Sequence, residues 1–333
     1  MNKELPFVSV LVPVHPHKKE VKSAEAARHF DYPPDKLEIV VVRTTDLSIG
    51  PGVKRNAGLK HIKGEFVYML DDDSVASPGL LRTAVDKFLA DPAVKMVGGP
   101  NVCPPDAPLF ERALGCVMGS WLAFGPSCAR YRPVGKLREA TEKELISCNL
   151  VANRAAVLEV GFNPKLWPNE ENAMMDGVQQ RGGKLLYDPD FIAHRRPRET
   201  FRAYRKMLVF YGGGRAHQLR MHPTAHSLPN FVPGFFLLYL LALPFVPLIP
   251  VAKDYASLTL LPLALYLLAV LVQTAFIVGR SGLLLALYSL PLLVATTLLY
   301  GFGFLWGLLK PIPAPPPAPE SDIRFEHIPV AAR

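Results

Sequence analysis

The strongest chemical signal in the sequence is a run of three carboxylates, Asp71, Asp72 and Asp73. The run follows an apolar, β-rich stretch at 65–70 that we expect to form a strand. Adjacent acids repel one another unless a cation neutralises them, and hard oxygen ligands suit Mg²⁺ or Mn²⁺. The run therefore predicts a divalent cation that also holds a diphosphate. The alternative is a solvated acidic turn whose neighbouring serines cap the next helix.

Strand and helix signals alternate around this run. Strands are predicted at 7–14, 37–43, 65–70, 94–97 and 184–187, and helices at 18–30, 52–62, 78–89 and from about Glu170 to Arg181. This alternation predicts an α/β fold, a mostly parallel sheet with helices on both faces. Ligands of such sheets bind at the carboxyl ends of the strands, where the three acids lie. The stretch 104–138 is rich in Pro, Gly and small residues, and we expect it to form loops that shape an acceptor site.

Three segments resemble the family 2 glycosyltransferases in order and spacing over about 75 residues. The first is a strand that ends in a proline-containing turn, Val8 to Val14; the second is the helix start Lys54-Arg55-Asn56-Ala57-Gly58. The third is a Lys-Gly-Glu turn leading into a strand with a D-x-D motif, Lys63 to Asp73. The resemblance implies a nucleotide-sugar domain of the GT-A fold.

The resemblance also implies roles for single residues at the nucleotide-sugar site. Asp71 and Asp73 would be the D-x-D pair on the metal, with Asp71 also near the ribose and Asp72 in the same site. Pro13 and His15 would line the nucleotide pocket. Arg55 and Asn56, at a helix N-terminus, would contact base or phosphate. The cation would offset charge that builds on the leaving nucleoside diphosphate.

One turn departs from the family pattern. After the second strand the family usually has an Asp-Asp-Gly-Ser-like turn that holds the base, whereas this chain reads Arg43-Thr44-Thr45-Asp46. We expect Asp46 to take that place, and the identity of the donor base stays open.

The catalytic base in the family lies in an acidic pair at a helix start. Here Glu170 and Glu171 follow Gly161-Phe162-Asn163, which resembles the family's Gly-Phe-Asp turn. Glu171 takes the position of the base that removes a proton from an acceptor hydroxyl, with Glu170 as the alternative. Helix capping would also favour acids in a first turn. His194 resembles a family histidine near the metal, although a lone histidine is more often structural.

Three long uncharged runs, 231–252, 257–279 and 282–309, indicate a membrane domain. Only Lys253, Asp254 and Arg280 carry charge between 231 and 309, and each run reaches the roughly 20 residues that a crossing helix needs. We expect three crossings. The first run contains four prolines, so a kinked or re-entrant segment stays open for it.

A basic segment at 195–220 precedes these runs and contains a single acid, Glu199. Because positive charge stays on the cytoplasmic side, and because we find no secretory signal, we expect an inner-membrane protein with a cytoplasmic catalytic domain. Arg202, Arg205 and Arg215 are candidates to bind an acceptor phosphate, or else lie on a lipid-facing helix. The net charge of +8 therefore indicates membrane lipids or a phosphate-bearing substrate rather than nucleic acid.

The predicted organisation is a glycosyltransferase domain at 1–230, a transmembrane domain at 231–310, and a Pro-rich spacer with a polar tail at 311–333. The four cysteines are expected to be free thiols. The predicted function is an inverting, metal-dependent transfer of one sugar from a nucleotide sugar to a lipid-linked acceptor at the inner membrane face. The family's Gln-x-x-Arg-Trp motif is absent at 207–211, which argues against a processive synthase. The alternatives are a polyprenyl-phosphate glycosyltransferase and an inactive membrane-bound binding module.

Overall fold

The structure is a computed structural model that describes residues 4–221, 223, 225–248, 256–312, 314 and 322–331. The chain forms two compact units. The sheet unit takes in 1–104, 129–196 and 313–333, and the helical unit takes in 105–128 and 197–312. The helices at 109–118 and 201–221 belong to the helical unit, because they bury apolar side chains within it. The domain boundary expected at residue 230 stays a prediction.

Eleven strands are described. They are β1 (Val8–Pro13), β2 (Leu37–Arg43), β3 (Phe66–Leu70), β4 (Val75–Ala76), β5 (Val94–Gly98), β6 (Asn101–Val102), β7 (Arg138–Glu139), β8 (Asn149–Asn153), β9 (Lys184–Tyr187), β10 (Ala193–His194) and β11 (Arg324–Ile328). Eight form one sheet in the order β11-β2-β1-β3-β8-β5-β9-β7, and three form a small sheet in the order β4-β10-β6.

The large sheet is mixed rather than mostly parallel. β1 pairs in parallel with β2 and β3, and β5 pairs in parallel with β9. β8 runs antiparallel between β3 and β5, because the chain returns from the excursion after β6 in the opposite direction. The carboxyl ends of β1, β2 and β3 still meet at one edge, and His15, Thr44 and Asp71 follow those ends.

Twelve α-helices are described. They are α1 (Lys22–Ala27), α2 (Pro51–His61), α3 (Leu80–Ala90), α4 (Leu109–Met118), α5 (Trp121–Phe124), α6 (Arg154–Val160), α7 (Glu170–Gln180), α8 (Phe201–Met221), α9 (Phe231–Ala242), α10 (Ala256–Thr259), α11 (Leu261–Ser281) and α12 (Leu283–Leu309). One face of the sheet packs against α1 and α3, and the other against α2, α6 and α7. Helices therefore cover both faces, as predicted.

The helical unit has its own apolar core, to which α4, α8, α11 and α12 contribute. The expected loops at 104–138 thus include two helices, since Ala113, Leu114 and Val117 form a buried apolar face. Three helical segments, 228–246, 257–281 and 283–309, are long and apolar enough to cross a membrane. The end of the first predicted run, 249–252, lies outside the described residues.

The described part of the tail is a strand that the sequence analysis does not predict. β11 pairs antiparallel with β2, with Arg324 opposite Arg43 and Ile328 opposite Ile39. Most of the Pro-rich stretch at 311–319 lies outside the described residues. The polar tail therefore belongs to the same sheet as the N-terminal strands.

Candidate active site

The first and third acids of the run, Asp71 and Asp73, both contact the guanidinium of Arg195. β3 ends at Leu70, so Asp71 is the first residue beyond the sheet. One oxygen of Asp71 accepts a hydrogen bond from the buried guanidinium of Arg55 at 2.7 Å. The guanidinium of Arg195 lies 3.1 Å from the other oxygen of Asp71 and 2.7 Å from Asp73. Two cations from distant parts of the chain thus neutralise acids that would repel one another.

The middle acid, Asp72, points towards β1. It accepts a hydrogen bond from the backbone N–H of His15 at 3.0 Å, and its second oxygen pairs with Lys18 at 2.7 Å. Lys18 also lies 3.7 Å from Asp73. Burial alone would raise the pKa of Asp73, but Arg195 and Lys18 outweigh burial and hold that pKa below its usual value. All three acids are therefore held close to cationic side chains.

Glu170 is a buried carboxylate beside this cluster. It opens α7 with 3% of its surface exposed, and its Oε2 has no hydrogen-bond partner among the described residues. Burial raises the pKa of Glu170 to about 7, although the nearby Arg55 opposes the shift. The negative charge of Asp71 also raises the pKa of Glu170, so Glu170 lies within electrostatic reach of the acid run.

Glu171 has a different environment from its neighbour. Its Oε2 accepts hydrogen bonds from the backbone N–H of Ser147 at 3.0 Å and from the Ser147 hydroxyl, and Arg130 lies 3.6 Å from its Oε1. Burial alone would raise the pKa of Glu171, but Arg130 and Ser147 outweigh burial and lower it. Glu171 is thus held as a carboxylate, whereas Glu170 can exchange a proton near neutral pH.

A cavity of about 160 Å³ lies beside the acid run, at the ends of β1 and β2. Its lining includes His15, Arg43, Thr44, Thr45, Asp322 and Arg324. Burial, followed by the charge of His17, lowers the pKa of His15, so its ring is neutral at pH 7. Because the backbone of His15 binds Asp72, the cavity borders the acid run.

The family model described as "Glycosyltransferase like family 2" matches residues 2–208, well over half of the chain. The chain belongs to this glycosyltransferase family. Among solved structures, it is similar to the mannosyltransferase PcManGT from Pyrobaculum calidifontis in complex with GDP-Man and Mn²⁺, with 20% identity over 91% of this chain and 88% of that chain and a TM-score of 0.48. It is also similar to S. aureus TarS 1–349 in complex with UDP-GlcNAc, with 12% identity over 85% of this chain and 90% of that chain and a TM-score of 0.43. No curated protein matches the chain.

Family membership confirms the predicted enzyme class and the GT-A type of α/β fold for this glycosyltransferase. The predicted roles of Arg55 and Asn56 have a different structural setting from the expected one. α2 begins at Pro51, so both residues lie beyond the free N–H groups of its first turn. The amide of Asn56 bonds the backbone N–H and carbonyl of Phe162, at 2.8 and 2.7 Å. Asn56 thus joins α2 to the turn before α7, while Arg55 faces Asp71.

Three other predicted residues make contacts or have surroundings of a different kind. The carboxylate of Asp46 accepts a hydrogen bond from the backbone N–H of Ser48 at 2.7 Å and so stabilises the turn at 46–48. Pro13 is buried as the last residue of β1, opposite Val42. His194 is exposed in β10, and its neighbour Arg195 makes the contacts with the acids.

The donor set fits a divalent cation in part. Asp71 and Asp73 direct carboxylate oxygens, which are hard ligands, at the same guanidinium of Arg195. A metal ion would require oxygens that converge in this way. Among the residues that the structure describes, however, no three His, Cys, Asp or Glu side chains come close enough together to hold a metal. Two carboxylates, Asp71 and Asp73, are therefore the side chains that could hold such a cation.

The basic helix α8 belongs to the helical unit. Arg202 and Arg205 are exposed on it, and Arg215 donates a hydrogen bond to Gln218 at 3.2 Å. The helix packs along α12, where Gly212 gives α8 room for close approach to the α12 backbone. Its glycines therefore have a packing role that the sequence analysis does not identify.

Several residues at the site were missed from the sequence. From the sequence alone, Arg195 is only one residue of the basic segment, and Lys18, Arg130 and Asp322 have no predicted role. The position of Arg195 directly after His194 is a usable signal, because His194 resembles a family histidine near the metal. Arg130 and Asp322 lie in stretches without a family motif, so contact across the fold is the first evidence for them.

Proposed function

We propose that this glycosyltransferase performs an inverting, metal-dependent transfer of one sugar from a nucleotide sugar to a lipid-linked hydroxyl acceptor at the cytoplasmic face of the inner membrane. The observation that carries the proposal is that Asp71 and Asp73 both contact Arg195, next to the buried carboxylate of Glu170, whose pKa is about 7. The three apolar helical segments support a membrane-bound acceptor.

The carboxylates at the site suit the two parts of such a transfer, which are attack by the acceptor oxygen and departure of the nucleoside diphosphate. The acceptor oxygen bonds to the anomeric carbon on one face as the bond from that carbon to the diphosphate breaks on the other. Glu170 takes the hydroxyl proton, because a base with a pKa near the working pH is effective in proton transfer. The nucleoside diphosphate leaves with the bonding electron pair. Glu171, held ionised by Arg130 and Ser147, ties the start of α7 to these two residues.

Asp71 and Asp73, which both contact the guanidinium of Arg195, would hold the divalent cation. When bound, the cation supplies charge stabilisation for the departing diphosphate. His194, exposed beside Arg195, is proposed as a further ligand of the same metal. Arg202, Arg205 and Arg215 are proposed to contact the acceptor phosphate or lipid head groups.

The test of this proposal is donor binding and transfer by the Asp73→Ala variant. We expect it to lose transfer, and to lose the part of nucleotide-sugar binding that depends on Mn²⁺ or Mg²⁺. The matched control is Asp86→Asn, an exposed acid on α3. Full activity in the Asp73 variant, or equal loss in the control, contradicts the metal role.

A second candidate is transfer to a polyprenyl phosphate, which needs no deprotonation because the acceptor is already anionic. The exposed arginines of α8 favour it. Replacement of Glu170 or Glu171 by Gln then has little effect on rate. A third candidate, the inactive binding module, predicts neither transfer nor nucleotide-sugar hydrolysis by the folded protein across UDP, GDP and dTDP sugars with Mn²⁺.

A further inference from the structure

The tail of the chain organises the turn that departs from the family pattern. Asp322 precedes β11, and its carboxylate accepts the backbone N–H groups of Thr45 at 2.9 Å and Asp46 at 3.0 Å. The same carboxylate accepts hydrogen bonds from the hydroxyls of Thr44 and Thr45. Four donors on one carboxylate, contributed by a stretch of three residues, hold this turn in a single conformation.

The hydrogen bonds to Asp322 also fix its charge. The hydroxyls of Thr44 and Thr45 and the N–H of Asp46 stabilise the ionised form, so the pKa of Asp322 lies far below its usual value. The carboxylate therefore stays anionic, and its acceptors are occupied by the chain itself. Asp322 shapes the turn and has little capacity left for a ligand.

The turn and the tail together line the cavity beside the acid run. At about 160 Å³ the cavity is too small for a whole nucleotide sugar, since pockets for drug-sized ligands have about 300–1,000 Å³. A cavity of about 150 Å³ holds one benzene ring. Because His15 joins this cavity to Asp72, a ring bound there would lie next to a diphosphate at the acids.

Arg324 is the cavity residue with donors to spare. It is exposed, and among the described residues its side chain makes no hydrogen bond or ion pair. The other arginine of the cavity, Arg43, is already held by Glu326 at 2.7 Å and by the carbonyl of Lys18 at 3.0 Å. A guanidinium with free N–H groups suits the carbonyl oxygens and ring nitrogens of a nucleobase.

We propose that the C-terminal tail completes the donor site: the cavity binds the nucleobase of the nucleotide sugar, Arg324 contacts that base, and Asp322 positions the Thr44–Asp46 turn around it. This inference rests on the proposed function, because it names how that site recognises its donor. Asp322 does not replace the family's base-holding acid; it holds the Thr44–Asp46 turn from a position more than 270 residues later in the chain.

The experiment compares nucleotide binding by the full-length protein and two variants, Arg324→Ala and Asp322→Ala. The probes are UDP, GDP and dTDP, with inorganic pyrophosphate as a probe that has no base. We expect Arg324→Ala to weaken the preferred nucleoside diphosphate about tenfold, which is typical for loss of one charged hydrogen bond, and to leave pyrophosphate unchanged. Asp322→Ala should raise the donor KM and flatten the preference among the three bases, with kcat little changed.

Arg82→Ala is the matched control, since it removes an exposed arginine from α3 of the same unit. Unchanged nucleotide affinity in both tail variants, with binding intact in the unaltered protein, overturns this inference and leaves the proposed function standing. Equal weakening of pyrophosphate and nucleotide by Arg324→Ala also overturns it, because contact with the phosphates would then explain the effect. If the unaltered protein binds no nucleoside diphosphate at all, the proposed function fails as well.

Discussion

Glu170 and Glu171 are consecutive, yet their carboxylates have opposite electrostatic environments. Burial without a partner for Oε2 raises the pKa of Glu170 to about 7, whereas Ser147 and Arg130 lower the pKa of Glu171. The family resemblance assigns the base to Glu171. We propose Glu170, the alternative, as the base, because proton transfer at neutral pH needs a group that can both lose and gain a proton there.

Glu170→Gln should reduce transfer to a hydroxyl acceptor by 10²-fold or more, as is typical for loss of a general base. In the unaltered protein, kcat should rise with pH through about 7 as Glu170 ionises. Steady-state kinetics between pH 5.5 and 8.5 measure both effects. A larger loss in Glu171→Gln than in Glu170→Gln would instead assign the base to Glu171.

The same substitution should stabilise the fold in alkaline solution. A carboxyl whose folded pKa is raised from 4.5 to about 7 favours folding below pH 4.5, and this stability is lost as the pH rises through 7. Glu170→Gln removes that loss, so it should raise the unfolding free energy by up to about 3 kcal/mol at pH 8 and by little at pH 5. Thermal unfolding in detergent at both values measures it. Glu25→Gln, which replaces an exposed acid on α1, is the matched control.

The tail strand limits how often the chain can cross a membrane. β11 and β2 belong to one sheet, so the chain must return by residue 322 to the side that it left after residue 196. An even number of crossings is required. We expect two, by α11 and α12, because 3-10 turns flank α9 on both sides and limit its regular α-helix to 12 residues. The first apolar segment then enters the membrane without crossing it.

Cysteine labelling of intact cells with a membrane-impermeant maleimide tests this arrangement. Ser281→Cys, at the junction of α11 and α12, should react from outside, and Pro329→Cys should react only after permeabilisation. Protein with only its four native cysteines gives the background. Reaction of Pro329→Cys in intact cells would contradict two crossings and the pairing of β11 with β2.

Gly212→Ala should destabilise the helical unit. A Cβ at this position would lie 2.5 Å from the carbonyl oxygen of Tyr300 and 2.7 Å from the nitrogen of Phe304, both on the α12 backbone. Overpacking of this kind costs about 1–3 kcal/mol. Gly279→Ala is the matched control, because nothing lies within 4 Å of its added Cβ. A lower thermal unfolding temperature for both variants, or for neither, would be inconsistent with close packing at Gly212.

The sequence by itself determined the positions of most helices and strands, because apolar periodicity and turn residues are local properties. It located Asp71 to Asp73 at a strand end, the family, and three apolar helical segments. It did not show that Arg195, more than 120 residues later, neutralises Asp71 and Asp73, or that Asp322 binds the turn after β2.

Only the tertiary structure decided which of two adjacent glutamates can exchange a proton near pH 7 and that the tail returns to the sheet. A pKa depends on burial and on charges brought from distant positions, and neither is encoded in the residue's neighbours along the chain. The antiparallel course of β8 has the same origin, since the direction of a strand follows from the path of the long connection before it.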